Sequence, residues 1–215
     1  DVHVEGDDIA LLQYTGGTTG KSKAAVLTHK NLLSNVQQVS NWIEPHIKSG
    51  EEIIITALPL FHIFSFTVNC LTFLKIGAEN VLIANPRDLK SFLKVLKKKK
   101  FTVMTAVNTL FNLLLTSKKF KELDFSGFKF SVGGGMAVMS ETAKNWKKVT
   151  GTNITQGYGL TETSPVVSIN KIDNPFNGSI GLPVQSTSIK IIDESGKNVD
   201  DEQPGELCVK GPQVM

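Results

Sequence analysis

The chain has 215 residues, 40% of them hydrophobic and 20% charged, with a net charge of +3. That balance describes a globular protein with a sizeable core, arranged as one large or two smaller domains. The charge is too small to argue for nucleic acid as a partner. Two cysteines, Cys70 and Cys208, show neither metal spacing nor a disulfide framework and point to a reducing cytoplasm, and no basic-then-apolar leader opens the sequence.

Short apolar runs at 9–14, 53–57, 81–84, 102–106, 129–132 and 153–156 predict strands. Several are continuously apolar rather than alternating, as expected of parallel strands buried on both faces. Helical patterns lie between them. The first starts at Thr28, a candidate N-cap, and puts Leu32, Val36, Val39 and Ile43 on one face. Others start near His62, run from 88 to 99 with Leu89, Phe92, Leu93 and Leu96 at helical spacing, and start near Val107 and Ser140. Repeated strand–helix units predict an α/β fold, a mostly parallel sheet with flanking helices. The most apolar stretch, 57–76, contains Pro59, His62, Ser65, Asn69 and Lys75, so it reads as a buried helix and not a membrane span. The lysines 97–100 close a helix, where cations suit the dipole, and read as a solvated helix end. After about residue 178 the strand-like runs 188–192 and 206–210 are separated by turns, which predicts a smaller antiparallel β subdomain near the C-terminus. The expected division is 1–177 and 178–215. Both ends read as cut, as in a piece of a longer protein.

The densest chemistry lies at 14–23, Tyr-Thr-Gly-Gly-Thr-Thr-Gly-Lys-Ser-Lys, three glycines, hydroxyls and two lysines after an apolar run. Glycines let backbone N–H groups turn toward an anion, so the composition suits a polyphosphate. The P-loop pattern nearly fits through Gly20, Lys21 and Ser22, but its first glycine would fall on Thr15, and from Gly16 the loop is one residue short. A ligand-free surface turn is the plainer alternative.

Three further clusters stand near predicted strand ends. Gln156-Gly157-Tyr158-Gly159-Leu160-Thr161-Glu162-Thr163 joins an aromatic face, a hydroxyl and a carboxylate where α/β sheets bind ligands. Tyr158 suits a flat base, Thr161 a phosphate and Glu162 a Mg²⁺ ion; alone, the segment is equally a Gly-Tyr-Gly turn with a capping Thr/Glu pair. Gly133, Gly134 and Gly135 suit either a planar ligand edge or a tight turn. His62, after Pro59-Leu60-Phe61, suits either the gate of an apolar pocket or a hydrogen-bonded helix start. No zinc spacing and no Gly-x-Ser-x-Gly elbow occur.

In this order, these motifs resemble the adenylate-forming superfamily of acyl-CoA synthetases, luciferases and peptide-synthetase adenylation domains. The segments 14–20, 56–64, 133–138, 178–184 and 206–215 look most like bacterial long-chain fatty acid–CoA ligases, and the resemblance covers essentially the whole chain. It implies ATP-dependent conversion of a fatty acid to acyl-adenylate and then to acyl-CoA, with ATP, Mg²⁺ and coenzyme A. It also implies a cytoplasmic enzyme and leaves open a peripheral contact with the inner face of the membrane and a homodimer. Another carboxylic acid as substrate, or a non-catalytic nucleotide-binding module, is the alternative. Carried over residue by residue, the resemblance places Thr15, Gly16, Gly17, Thr18, Thr19, Gly20 and Lys23 on the β- and γ-phosphates. It places Gly135, Met136 and Ala137 on one side of adenine and Tyr158 on the other, Thr161 at the α-phosphate and Glu162 on Mg²⁺. His62, Gly157 and Gly159 fall on the acyl side, with Thr161, Glu162 and His62 the catalytic candidates.

One departure concerns the loop. The glycine usual after the lysine is Ala24, which fits if φ stays negative there. The superfamily's ribose-binding aspartate, a later arginine and the catalytic lysine of its small C-terminal domain would lie beyond Met215. The segment alone is therefore expected to bind nucleotide weakly and not to turn over at a normal rate.

Overall fold

The computed structural model describes residues 2–15 and 23–215. The phosphate-loop candidates Gly16, Gly17, Thr18, Thr19 and Gly20 lie outside the described residues.

Seven strands form the main sheet. Along its edge they run β4 (Glu79–Leu82), β3 (Ile53–Thr56), β5 (Val103–Ala106), β6 (Phe130–Gly133), β7 (Ile154–Gly159), β8 (Val166–Ile169) and β9 (Leu182–Pro183). The first five are parallel; β8 pairs antiparallel with β7, and β9 antiparallel with β8. β5 is buried at every residue, which is why it reads as one apolar run with no alternation.

One face of the sheet is covered by α3 (Leu89–Lys98), α4 (Asn108–Thr116), α5 (Lys118–Lys121) and α6 (Ser140–Thr150), around a core that includes Phe92, Phe111, Phe120 and Trp146. Asp88 caps α3 by accepting from the Ser91 N–H at 3.1 Å. Lys97, Lys98 and Lys100 at its end are exposed, while Lys99 pairs with Glu79. The other face carries α1 (His29–Ile43) and a π-helical segment, Ser65–Thr72, that runs into the single turn α2 (Phe73–Lys75). Thr28 caps α1 as expected, and Asn31 closes the capping box by answering the Thr28 N–H at 3.0 Å. Among the described residues no helix is long and apolar enough to cross a membrane.

Two differences from the sequence reading matter. The run at 9–14 is β1 (Ile9–Thr15), but it pairs antiparallel with β2 (Lys23–Thr28), a strand the apolar pattern did not mark, and stands apart from the main sheet. Here Ala25 and Leu27 are buried while Lys23, Ala24 and Val26 are exposed, so only half of a short strand carries the apolar signal. The run at 153–156 continues as strand through Gly157, Tyr158 and Gly159, because β8 pairs with that stretch. The two late strands, β10 (Ser188–Ile192) and β11 (Glu206–Lys210), form the expected antiparallel pair.

Candidate active site

The sheet changes direction between β7 and β8, and a cavity of about 270 Å³ opens beside that point. Its opening lies at the carboxyl ends of β6 and β7, the end of the strands at which open α/β sheets bind ligands. Its mouth is lined by Thr15, His62, Gly135, Tyr158, Thr161 and Glu162. Its interior is apolar, with Trp42 and Phe64 on the helical side and Val132 and Ile169 on the sheet side.

Seven candidates taken from four separate parts of the sequence, Thr15, His62, Gly135, Tyr158, Gly159, Thr161 and Glu162, thus share one cavity, and Gly157 lines it as well. Met136 and Ala137 are exposed beside Gly135 and do not line it. Lys23 is exposed and paired across the hairpin with Thr15, whose hydroxyl donates to the Lys23 carbonyl at 3.3 Å. Residues 16–22 therefore connect two antiparallel strands, and α1 begins only at His29. A P-loop needs a strand that passes through the loop directly into a helix, so that reading falls. Ala24 lies within β2, away from the positive-φ residues, so its methyl group is accommodated.

Backbone constraints shape the mouth. Gly135 has φ +75°, a conformation in which a side chain is strained. A Cβ on Gly159 would fall 2.2 Å from the Pro165 carbonyl oxygen, so only glycine lets β7 pass that close to the start of β8. Thr161 and Glu162 occupy the tight connection between these strands. Thr163 is buried and closes the turn by accepting from the Leu160 N–H at 3.1 Å, and the Glu162 carbonyl accepts from the Met215 N–H at 3.0 Å.

His62 precedes the helix and lines the cavity; its Nδ1 accepts from the Phe64 N–H at 3.2 Å. His62 thus has a local hydrogen bond and also lines the cavity. With Nδ1 accepting, Nε2 carries the ring hydrogen. Glu162 is half-buried, and among the described residues no cluster of three His, Cys, Asp or Glu side chains could hold a metal. A single carboxylate suits Mg²⁺, which keeps water and takes its remaining oxygens from substrate phosphates.

Positioning residues escaped the sequence reading. Buried Gln156 accepts from the Val138 N–H at 2.7 Å and donates to the Ser179 carbonyl at 2.8 Å, which fixes the triple-glycine turn against the segment after β8. Asn35 and Gln213, both fully buried, hold α1 and the 211–215 segment to the start of β8. These were invisible because a buried amide is recognised by its partners, and the partners are more than a hundred residues away for Asn35.

The sequence profile of the AMP-binding enzyme family matches residues 1–215. A long-chain-fatty-acid–CoA ligase of Escherichia coli is 53% identical over 210 residues, 97% of this chain and 37% of the relative. The protein of the same name from Bacillus subtilis is 38% identical over 212 residues, again 97% of this chain and 37% of the relative. The chain thus spans well under half the length of these curated relatives. ATP-bound MatB from Rhodopseudomonas palustris superposes with a TM-score of 0.86 at 27% identity, over 98% of this chain and 41% of that one. The anthranilate CoA ligase AuaEII in complex with anthranoyl-AMP gives a TM-score of 0.88 at 25% identity, over 97% of this chain and 40% of that one. Matched along its whole length, the chain belongs to the AMP-binding enzyme family.

Proposed function

We propose that this chain supplies the nucleotide- and acyl-binding part of an enzyme that uses ATP to join a long-chain fatty acid to coenzyme A. The observation that carries the reading is the two-part cavity: glycines, Tyr158, Thr161 and Glu162 at its mouth and an apolar interior behind them. A fatty acid has the same two parts. Relatives named as long-chain-fatty-acid–CoA ligases support the choice of acid.

In this account the acid's tail enters the apolar interior and its carboxylate stays at the mouth near His62. Gly157 and Gly159 leave the acyl path open, and the Nε2–H of His62 donates to the carboxylate. Tyr158 covers one face of adenine, and Gly135, Met136 and Ala137 cover the other side. Thr15, Lys23 and residues 16–20 grip the β- and γ-phosphates, while the Thr161 hydroxyl donates to the α-phosphate. A Mg²⁺ ion held by Glu162 would neutralise phosphate charge. The acid's oxygen bonds to the α-phosphorus as the bond to the β-phosphate oxygen breaks, and pyrophosphate leaves. The coenzyme A sulfur then bonds to the acyl carbon and AMP leaves. The chain's contribution is orientation and charge placement around phosphorus. The division at residue 178 belongs to the same proposal: 1–177 carries the site and 178–215 opens the β subdomain.

Cytoplasmic location with a peripheral membrane contact also belongs to it. Lys90, Lys94, Lys97, Lys100 and Lys119 line a groove with Leu93, Leu96 and Phe101, and they outnumber the two acidic residues there, Glu122 and Asp124. That surface suits an anionic bilayer, and flotation of the intact enzyme with anionic against neutral vesicles tests it, equal recovery with both counting against it. ATP–pyrophosphate exchange by the intact enzyme tests the main reading. Exchange that depends on a straight-chain fatty acid supports it. Exchange only with aromatic or very short acids assigns the site to another substrate class.

A further inference from the structure

The segment that carries His62 is tied to the sheet by a buried ring of polar groups. Ser65–Thr72 winds as a π-helix, a rare form that recurs at functional sites. Phe64, Val68 and Phe73, four and five positions apart, line the cavity. Ser65 and Asn69 do not; both are fully buried and turn their polar groups to the backbone and the sheet. Asn69 Nδ2 donates to Thr56 Oγ1 at 2.9 Å, and Asn69 Oδ1 accepts from Thr105 Oγ1 at 2.9 Å. Thr56 and Thr105 are direct neighbours on β3 and β5. The Thr56 hydroxyl donates in turn to Asn80 Oδ1 on β4, and Asn80 Nδ2 returns to the Asn69 carbonyl at 2.5 Å. One residue thus fastens the π-helix to three adjacent strands.

The stretch between β3 and the π-helix is closed by two rungs. Asn69 meets Thr56 at the outer rung, and the Ser65 hydroxyl donates to the Leu58 carbonyl at 3.1 Å at the inner one. His62 lies inside both. Its N–H donates to the Pro59 carbonyl at 3.0 Å, and its carbonyl accepts from the Phe66 N–H at 2.9 Å. His62 is exposed, so its position is set by the backbone beneath it and not by packing around the ring. Apolar contacts such as those of Phe64 and Val68 have no direction and leave a helix free to slide. A buried amide with its bonds satisfied fixes one register.

We infer that Asn69 is a positioning residue for His62: its ring of bonds, with Ser65 as the inner rung, sets where the His62 Nε2 stands at the mouth. The consequence for adenylation rests on the proposal that Nε2 meets the acid's carboxylate.

The test is a double-mutant cycle in the intact enzyme, read by ATP–pyrophosphate exchange at saturating fatty acid and ATP. Asn69→Leu keeps the size and removes both side-chain bonds. It lowers the maximal rate by about tenfold to a hundredfold, the scale of misplacing a reacting group by about 1 Å, while the KM for ATP changes little. In a His62→Ala background the same substitution lowers the rate less than about twofold, because the group it positions is gone. A merely structural loss multiplies with His62→Ala instead. Thr105→Val removes one of the two bonds and shows the same pattern in milder form should Asn69→Leu fail to fold. A second readout needs no catalysis: the ring resonance of labelled His62, assigned by its loss in His62→Ala, shifts on Asn69→Leu. A shifted resonance, with no exchange by the unsubstituted enzyme on any fatty acid, keeps the positioning role and removes the ligase reading. An unmoved resonance, or losses that multiply, overturns the inference.

Discussion

Asn35 and Val166 are joined by a reciprocal pair of hydrogen bonds, in which the Val166 N–H donates to Asn35 Oδ1 at 2.9 Å and Asn35 Nδ2 donates to the Val166 carbonyl at 2.9 Å. The side chain of a helix residue thereby does what a neighbouring strand would do, and it does so at the first residue of β8, just past the Thr161–Glu162 turn. The same helix reaches the far segment: Asn31 Nδ2 donates to the carbonyls of Pro212 at 3.0 Å and Val214 at 2.8 Å. One face of α1 therefore holds both the start of β8, just past the Thr161–Glu162 turn, and the 212–214 segment.

Asn35→Leu keeps the shape and removes both bonds, leaving a buried N–H and C=O without that partner. The expected cost is about 2–4 kcal/mol, at roughly 1–2 for each group. Chemical denaturation of the two proteins measures it. A loss below about half a kcal/mol would mean that β8 is held by other contacts.

Gly159→Ala adds a methyl group where the Pro165 carbonyl oxygen stands 2.2 Å away. Forced into that space it costs about 1–3 kcal/mol and moves the Thr161–Glu162 turn. The enzyme should lose adenylation more than it loses melting temperature, read by exchange assay and thermal melt on one preparation. Normal adenylation would show that the turn tolerates the shift.

Glu52 is almost fully buried and pairs with Lys129, across from β3 to the approach to β6. Burial by itself raises its pKa, but the hydrogen bonds from Lys129 and the Lys48 N–H outweigh this and hold the carboxyl below its usual value. A depressed carboxylate stabilises the fold above its unfolded pKa, near 4.5. That contribution is lost as pH falls below this value and through the lower folded one. Glu52→Gln should therefore flatten the acid side of the stability curve. Lys129→Met should cost about 3 kcal/mol at neutral pH by leaving the buried carboxylate unpaired. Parallel acid-unfolding curves for Glu52→Gln and the unsubstituted protein would remove this pair from the account.

Glu162→Gln keeps the size and removes the charge proposed to hold Mg²⁺. The Mg²⁺ concentration needed for half-maximal exchange should rise by about tenfold or more, while fatty acid binding without nucleotide stays the same. An unchanged Mg²⁺ dependence takes Glu162 out of the metal's surroundings.

Much of this was legible in the sequence because it rests on local rules. β3, β5 and β6 are short runs buried on both faces, and Thr28 and Asp88 announce their helices as capping residues. Glycines and polar groups at strand ends marked the mouth of the cavity. Three things were hidden. β2 is half exposed and short, so it lacks a run. The return of β8 depends on a partner strand and on Asn35, neither adjacent in sequence. The cavity interior draws Trp42, Phe64, Val132 and Ile169 from four separate parts of the chain, which meet only once the helices are packed on the sheet.

The measurement that bears most directly on the central claim is ATP–pyrophosphate exchange by the intact enzyme, run against straight-chain acids of increasing length and against aromatic acids. The account predicts exchange that is strong with long straight-chain acids and weak with very short ones, with aromatic acids poor throughout. Exchange that ignores chain length, or that favours aromatic acids, would contradict it.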